Sequence, residues 1–214
     1  MTIPVPTEKN INIGCGLKWA KQGWIGVDKF HQWPKHKRCM RIDISNGALL
    51  KHFPAESIER IYTSHTLEHF THDEAIKLLS DFYKIMKPDG IIRIVVPDLD
   101  ICVEKMYKKD HGWWSDNQIQ TREGARGMND YKMARNFLIS IGANLPVGLN
   151  REDIRVARGT HFATWNFDLL EHDLRQAGFK GVVKKNYGEY GCTRFNGMDN
   201  RPKCSLHVEA TKST

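Results

Sequence analysis

The stretch Asn10-Ile-Asn-Ile-Gly-Cys-Gly16, followed by Trp24-Ile-Gly-Val-Asp28, decides the fold class. Each half is a short apolar run containing β-branched residues, which predicts a strand. The first run ends in Gly-Cys-Gly and the second ends in an acid. In open α/β sheets, ligands bind at the carboxyl ends of the strands, so such endings draw attention to this edge of the sheet.

Outward from this opening, short apolar runs alternate with amphipathic ones, and this alternation favours an α/β fold. Further strands are predicted at Arg41–Asp43, Arg60–Ser64 and Gly90–Val96, the last of them central, and a closing hairpin at Gly181–Tyr187 and Ser205–Thr211. Helices are predicted at Asp73–Lys87, 98–108, Glu123–Gly142 and Phe167–Ala177. Residues 109–160 do not fit this alternation of strands and helices, so we expect them to be an insertion within a single domain, 1–214.

Composition excludes several classes of protein. No apolar run approaches the ~18 residues of a membrane span, and the start lacks the features of a secretory signal. The five cysteines are scattered without a CxxC pair, which predicts free thiols. The formal charge of +7 allows an anionic partner, although short basic clusters such as 35–38 are usually solvated surface. We expect a soluble cytoplasmic protein.

Polar or glycine residues follow each predicted parallel strand. These residues are Gly14, Cys15 and Gly16, then Asp28, Asp43, Ser64 with His65, and Asp98. Glycines would let a ligand approach the backbone, and a carboxylate at the second strand end suits ribose hydroxyls. Singly, such glycines also form turns and such acids also cap helices. Their succession favours a nucleotide-binding edge.

The sequence resembles the class I S-adenosylmethionine-dependent methyltransferases, in particular the small type-11-like proteins. The resemblance covers most of the chain. It is carried by Asn12-Ile-Gly-Cys-Gly16, Gly23-Trp-Ile-Gly-Val-Asp28, Ser64-His-Thr-Leu-Glu-His69, Lys87-Pro-Asp-Gly90, Arg93-Ile-Val-Val-Pro-Asp98, His161 with Trp165, and Leu174-Arg-Gln-Ala-Gly-Phe179. The combination indicates the superfamily rather than one substrate.

The resemblance implies a Rossmann-like seven-stranded sheet with the last strand antiparallel, helices on both faces and an inserted helical lid. It implies S-adenosyl-L-methionine as cofactor. Gly14, Cys15 and Gly16 would flank its methionine part, Asp28 would hold the ribose, Asp43 with Ile44 would face the adenine, and Ser64 with His65 would complete the contacts. Only residues 17–27 separate Gly16 from Asp28, whereas a dinucleotide fold places its acid about 20 residues beyond the loop.

Three residues are candidates for the base that removes an acceptor proton: His65, His161 and Asp98. A neutral imidazole is suited to this role. The alternatives are cofactor contact or packing for His65 and a helix cap for Asp98. Glu68 and His69 are interpreted as structural. A metal site built on His65 and His69 lacks a matched third ligand, so none is predicted.

For the acceptor, the resemblance and the histidines favour a hydroxyl on a sugar, glycan or other small molecule. Aromatic residues of the insertion, Trp113, Trp114 and Tyr131, together with Arg135, form either a wall that stacks on sugars or plain packing. Two other functions stay open. Nucleic-acid methylation draws on the basic charge, but the motif after strand four differs from that of nucleic-acid amino-methyltransferases. The second of these functions is that of a cofactor-binding module without catalytic activity.

Overall fold

The computed structural model describes residues 9–16, 21–29, 39–117, 128–141 and 161–213. Its strands are β1 (Asn10–Ile13), β2 (Ile25–Asp28), β3 (Cys39–Arg41), β4 (Ile58–Ser64), β5 (Met86–Pro97), β6 (Lys180–Lys185) and β7 (Ser205–Thr211). They form one sheet in the order β3-β2-β1-β4-β5-β7-β6. Strands β1 to β5 pair in parallel, and β7 pairs antiparallel with β5 and β6. The expected seven-stranded sheet with an antiparallel last strand is confirmed.

Helices surround this sheet. They are α1 (Leu49–His52), α2 (His72–Ile85), α3 (Leu99–Tyr107), α4 (His111–Asp116), α5 (Asp130–Ser140) and α6 (Phe167–Gln176). The longest, α2, begins at a capping box in which Thr71 Oγ1 accepts from Glu74 N and Glu74 Oε2 accepts from Thr71 N. This reciprocal pair satisfies two amide groups that a helix start otherwise leaves unpaired.

The predicted end of α2 at Lys87 is wrong, because the helix stops at Ile85 and β5 starts at Met86. Pro88 disfavours helical backbone at the residue before it, which shortens the helix. The register between β4 and β5 then shifts, because β5 has more residues here than β4: Ile58 pairs with Met86, whereas Arg60 pairs with Ile91. The Pro-Asp-Gly sequence therefore lies inside the first part of β5.

Strand β3 also differs from its prediction, Arg41–Asp43, and lies two residues earlier, at Cys39–Arg41. Asp43 leaves the sheet because its side chain caps the 3₁₀ turn Ile44–Asn46, accepting from Ser45 N. A capping aspartate has extended backbone of its own but starts helical backbone after it. The signal for this turn is Ser45, Asn46 and Gly47, which begin two residues after Asp43.

Alternation along the strands divides the core between the two faces of the sheet. One face packs against α2 and α6 and carries most of the apolar side chains; its strand residues include Ile11, Ile13, Ile61, Ile92, Ile94, Leu206 and Val208. The other face carries an aromatic cluster of Trp24, Tyr62, Val95, Phe195 and Met198. Phe195 and Met198 belong to the connection between β6 and β7, so this connection covers part of the sheet.

A buried arginine holds that connection in place. Arg93 in β5 is fully buried. Its Nε and Nη2 donate to Asp199 Oδ1 and Oδ2 at 2.8 and 2.6 Å, and its Nη1 donates to Glu209 Oε1 at 2.7 Å. Glu209 also accepts from Gly191 N. A two-pronged charge pair of this kind fixes geometry as well as charge.

The described parts of the predicted insertion, 109–117 and 128–141, contain α4 and α5 and no strand. The predicted helix Glu123–Gly142 is described as Asp130–Ser140, and residues 123–127 and 142 lie outside the described residues. Helices α3, α4 and α5 share a small core of Cys102, Trp114 and Met133. In the portion of the chain that is described, no helix has the length and apolar character needed to cross a bilayer.

We expect Asp199→Ala to lower the free energy of unfolding by about 3–5 kcal/mol, because it leaves the buried Arg93 guanidinium without its two-pronged partner. Chemical denaturation measures the change. Glu171→Ala, which removes an exposed pair with Arg175 within α6, is the control and should cost at most about 0.5 kcal/mol. Equal losses in the two variants would contradict a structural role for the Arg93 network.

Candidate active site

The parallel strands β1 to β5 all end at one edge of the sheet, and the residues predicted for the site follow them there. Gly14, Cys15 and Gly16 follow β1, Asp28 ends β2, Asp43 and Ile44 come shortly after β3, Ser64 ends β4 with His65 next, and Asp98 follows β5. The backbone of His65 donates to Val95 O at 2.8 Å, which keeps this turn beside β5. The fold thus assembles the predicted edge.

The Gly-Cys-Gly loop needs its glycines for two different reasons. Gly14 and Gly16 have φ angles of +68° and +74°, a region that glycine enters without strain. A Cβ on Gly14 would overlap the Thr66 side chain, whereas a Cβ on Gly16 would meet nothing within 4 Å. Gly14 therefore lets β1 and the turn after β4 come together, and the open space lies at Gly16.

The thiol of Cys15 is a packing group. A Cβ on Gly26 would lie 2.6 Å from Cys15 Sγ and 2.7 Å from Cys39 Sγ, so the two thiols flank the bare backbone of β2. Burial, with Cys39 beside it, raises the pKa of Cys15 far above its ordinary value. The thiol thus stays protonated and is not a nucleophile at neutral pH.

Asp28 ties the loop to β2, because its Oδ2 accepts from Gly16 N at 2.9 Å. This contact sets the carboxylate beside the open side of the loop. Contact with a ribose stays a prediction, and the position of Asp28 is the one that such a contact needs.

Asp43 is more heavily engaged than predicted. Its Oδ1 accepts from Ser45 N and Ser45 Oγ, and its Oδ2 lies 2.8 Å from Lys29 Nζ. Burial acts to raise the pKa of Asp43, but the hydrogen bonds from Lys29 and Ser45 outweigh it and lower the pKa. The carboxylate is ionised and caps a turn, so contact of Asp43 and Ile44 with adenine stays a prediction.

Asp98 is held by structural contacts. It is 2% exposed, its Oδ1 accepts from Asp100 N at the start of α3, and its Oδ2 lies 3.6 Å from Lys184 Nζ. The helix cap that the sequence left open as its alternative is present. Of the three candidate bases, Asp98 is therefore the least available to an acceptor hydroxyl.

His65 lies between a carboxylate and a hydroxyl. Its Nε2 lies 2.9 Å from Ser205 Oγ, and its Nδ1 lies 3.2 Å from Glu68 Oε1. Because a carboxylate only accepts, the ring proton belongs on Nδ1, which leaves Nε2 to accept from Ser205. The φ of His65 is +51°, an uncommon value for a residue with a side chain and one that often marks a functional position.

Glu68 is the buried centre of this region, with 1% exposure. Burial acts to raise the pKa of Glu68, but the surrounding imidazoles of His65, His69 and His161 outweigh it and lower the pKa to about 2. The carboxylate is therefore charged. Its backbone also serves the fold, because Glu68 O accepts from Phe162 N at 2.7 Å and so holds the returning chain.

His161 reaches the same centre from far along the chain. Its Nδ1 lies 3.1 Å from Ser140 O at the end of α5, and its ring meets that of His69 edge-on with centroids 5.3 Å apart. Burial lowers the pKa of His161, which favours the neutral ring. His65 and His161 therefore both adjoin Glu68, as the two histidine candidates for the site.

The predicted aromatic wall is only partly supported. Trp114 is 4% exposed and packs in the small core below α4, so the packing alternative holds for this residue. Trp113 donates from Nε1 to Lys203 O at 3.2 Å, and Tyr131 is 76% exposed. The side chain of Arg135 lies outside the described part of the chain.

Ser64 differs in role from its neighbour His65. Its hydroxyl donates to Asn200 Oδ1 at 3.1 Å, which links the end of β4 to the connection between β6 and β7. Contact of Ser64 with the cofactor stays a prediction. The same connection leads directly into Cys204 and Ser205.

The sequence missed Ser205 altogether and gave Glu68 only a structural role. Ser205 is the first residue of β7, and a search for site residues just after strands passes over it. Glu68 stands in the His-Thr-Leu-Glu-His motif, where a carboxylate between histidines on an apolar turn was the available signal. The metal hypothesis considered His65 with His69, whereas the structure groups His69 with Glu68 and His161.

No protein-family model matches the chain, and no curated protein sequence is significantly similar to it. Solved structures are similar. An S-adenosylmethionine-dependent methyltransferase from Archaeoglobus fulgidus has a TM-score of 0.50 at 16% identity, over 95% of this chain and 85% of that one. The 1,6-didemethyltoxoflavin-N1-methyltransferase of Burkholderia thailandensis, solved with S-adenosylhomocysteine, has a TM-score of 0.50 at 12% identity, over 96% and 71%.

The chain also covers half of the CurJ carbon methyltransferase, at 13% identity over 98% of this chain and a TM-score of 0.49. At such identities the likeness concerns the fold. The strand order, the antiparallel β7 and the two structures with a TM-score of 0.50 agree that the chain has the Rossmann-like fold of class I S-adenosylmethionine-dependent methyltransferases.

Gly14→Ala should lower the free energy of unfolding more than Gly16→Ala. Both variants place a side chain at positive φ, which costs roughly 1–2 kcal/mol, but only the first also overlaps Thr66. In a Thr66→Gly background the two losses should become similar, as measured by chemical denaturation. If Gly14→Ala lowers the free energy of unfolding equally with and without Thr66→Gly, the close approach of Thr66 is not the reason for glycine at position 14.

Proposed function

We propose that this protein is an S-adenosylmethionine-dependent methyltransferase that methylates a hydroxyl group of a sugar, a glycan or another small hydroxylated acceptor. S-adenosylmethionine supplies the methyl group from its sulfonium centre. The enzyme has to align the acceptor oxygen with that group, exclude water and accept the hydroxyl proton. The observation that carries the proposal is the Glu68–His65 pair beside the Gly-Cys-Gly loop.

The pair suits a general base. Glu68 Oε1 lies 3.2 Å from His65 Nδ1, a charge contact without hydrogen-bond geometry that favours the ring proton on Nδ1, so Nε2 is the nitrogen that accepts a proton. A hydroxyl, that of Ser205, already lies 2.9 Å from Nε2. Orientation of an imidazole by a buried carboxylate, with a hydroxyl on its other nitrogen, is the arrangement that hydroxyl activation requires. An acceptor hydroxyl would meet the same nitrogen once the Ser205 side chain rotates away from it.

The loop fits the proposed cofactor. The space at Gly16 is open, the Gly14 backbone is fixed by its bond to Val27 O, and Asp28 stands beside the loop. A carboxylate at the end of β2 would accept from ribose hydroxyls, while the bare backbone of Gly16 would admit the methionine part. Cys15, Asp43, Ile44 and Ser64 would complete these contacts.

The arrangement of basic residues favours a small acceptor over nucleic acid. The basic residues in and just after α3 are paired with acids: Lys105, Lys108 and Lys109 form ion pairs with Asp110, Glu104 and Asp130, respectively. Nucleic-acid binding depends on cations that are available to phosphates. The cluster at 35–38 lies outside the described residues.

We expect Asp28→Asn to weaken binding of S-adenosylhomocysteine by about 1–3 kcal/mol through loss of charge-assisted hydrogen bonds to the ribose. Asparagine keeps an oxygen for Gly16 N, so the loop stays anchored and the loss reports on the ligand. Calorimetric titration measures it, with Asp168→Asn at the exposed start of α6 as control. An unchanged affinity in Asp28→Asn would reject this cofactor position.

We expect His65→Asn to lower kcat by roughly 10²–10⁴-fold while the affinity for S-adenosylhomocysteine stays within a few-fold. Asparagine tolerates positive φ better than most residues, so the turn is preserved without the imidazole. The assay uses labelled S-adenosylmethionine with separate pools of glycans, small phenols and RNA. His172→Asn, an exposed position on α6, is the control.

Retention of kcat in His65→Asn would exclude this histidine as base. Label in the RNA pool alone would overturn the proposed acceptor class, and an absence of cofactor binding would indicate a silent module.

A further inference from the structure

Three potential metal ligands meet beside the proposed base. One ligand atom each from Glu68, His69 and His161 lies within 4.8 Å of the other two. Glu68 and His69 belong to the 3₁₀ turn Leu67–His69 after β4, whereas His161 belongs to a distant part of the chain. The bond from Phe162 N to Glu68 O, 2.7 Å long, holds that part against the turn. The backbone therefore fixes the grouping.

The carboxylate in this group is incompletely satisfied. Glu68 is 1% exposed, and among the described residues neither of its carboxylate oxygens has a hydrogen bond of good geometry. His65 Nδ1 lies 3.2 Å from Oε1, and Oε2 has no hydrogen-bond partner among the described residues. Buried polar atoms are nearly always paired, and an unpaired buried carboxylate oxygen is costly. A carboxylate of this kind, with one oxygen within 4.8 Å of a ring nitrogen of each of two histidines, suits a cation.

His161 is already in the form that binds a metal. A carbonyl oxygen only accepts, so the 3.1 Å contact with Ser140 O places the ring proton on Nδ1 and the lone pair on Nε2. Histidines that bind metals commonly donate their other N–H to a carbonyl or carboxylate in this way. The edge-on approach of the His69 ring, with an interplanar angle of 70°, keeps the two imidazoles from stacking flat on each other.

From this geometry we propose that Glu68, His69 and His161 bind a divalent transition-metal ion of the Zn²⁺ and Co²⁺ kind. Imidazole ligands favour these ions over Mg²⁺ and Ca²⁺, which prefer oxygen. Ligand atoms around tetrahedral zinc lie about 3.3 Å apart, given bond lengths of about 2.0–2.1 Å. Since the ligand atoms lie within 4.8 Å of one another, the three side chains need to close by at most about 1.5 Å.

The proposed role of the ion rests on the proposed methyltransferase function. Three protein ligands leave a fourth position open for an exchangeable oxygen, as in catalytic zinc sites. An acceptor hydroxyl bound there loses its proton more readily. The proton would leave to solvent, a bond would form between the acceptor oxygen and the methyl carbon, and the bond between that carbon and the sulfonium sulfur would break.

Metal binding is tested without cofactor or acceptor, so its outcome is separate from that of the methyltransferase assay. The full chain is treated with a chelator, dialysed and titrated with Co²⁺ and then Zn²⁺. We expect the visible absorption of a single bound Co²⁺ per chain, displaced by Zn²⁺. Glu68→Gln, His69→Ala and His161→Ala should each weaken binding by at least roughly 10–100-fold, the usual cost of losing even an outer partner of a metal ligand, while His172→Ala on the exposed face of α6 should bind normally.

Thermal unfolding distinguishes loss of metal binding from misfolding of a variant. Zn²⁺ should raise the Tm of the wild type and of His172→Ala, because it binds only the folded chain, and should leave Tm unchanged in the three ligand variants. A wild type that binds no stoichiometric ion overturns the site. Binding that persists in all three folded ligand variants also overturns it. Glu68→Gln is nearly isosteric and serves as the deciding variant if either histidine variant fails to fold.

Discussion

The buried carboxylate of Glu68 is the constraint on which the site depends. Its side chain holds His65, and its backbone carbonyl holds the segment that carries His161. A buried negative charge costs several kcal/mol unless positive or donor groups surround it. The protein meets this requirement in part with imidazoles, which are also the side chains that accept protons and bind metals. The buried charge of Glu68 thereby brings several reactive imidazoles together around its carboxylate.

A second constraint sets the distance between the two halves of the site. Gly14 and Thr66 approach so closely that no side chain fits at position 14. Thr66 Oγ1 also donates to Ile13 O at 3.4 Å, so the end of β1 and the turn after β4 are joined by a direct contact. Thr66 is only two residues from Glu68, so the proposed cofactor loop and the proposed base are held by the same contact. Rigid support of this kind gives a site its alignment.

Local patterns predicted most of the architecture, because each parallel strand is a short apolar run and its polar ending is visible in the sequence. The predicted ends of β3 and α2 were wrong because single residues changed the backbone beside them. Asp43 caps a turn, and Pro88 shortens α2. The burial of Glu68 and its grouping with His161 join positions more than ninety residues apart. Periodicity carries no information about such contacts, so only the fold shows them.

The absence of Ser205 from the prediction has a topological cause. The rule that site residues follow strands holds for parallel strands, whose carboxyl ends share an edge. Strand β7 runs the other way, and its first residue pairs with Pro97 at the end of β5. The residue that β7 delivers to the site is therefore the one that begins the strand. Since His65 faces this residue at 2.9 Å, reversal of the last strand is what gives the proposed base a hydroxyl neighbour.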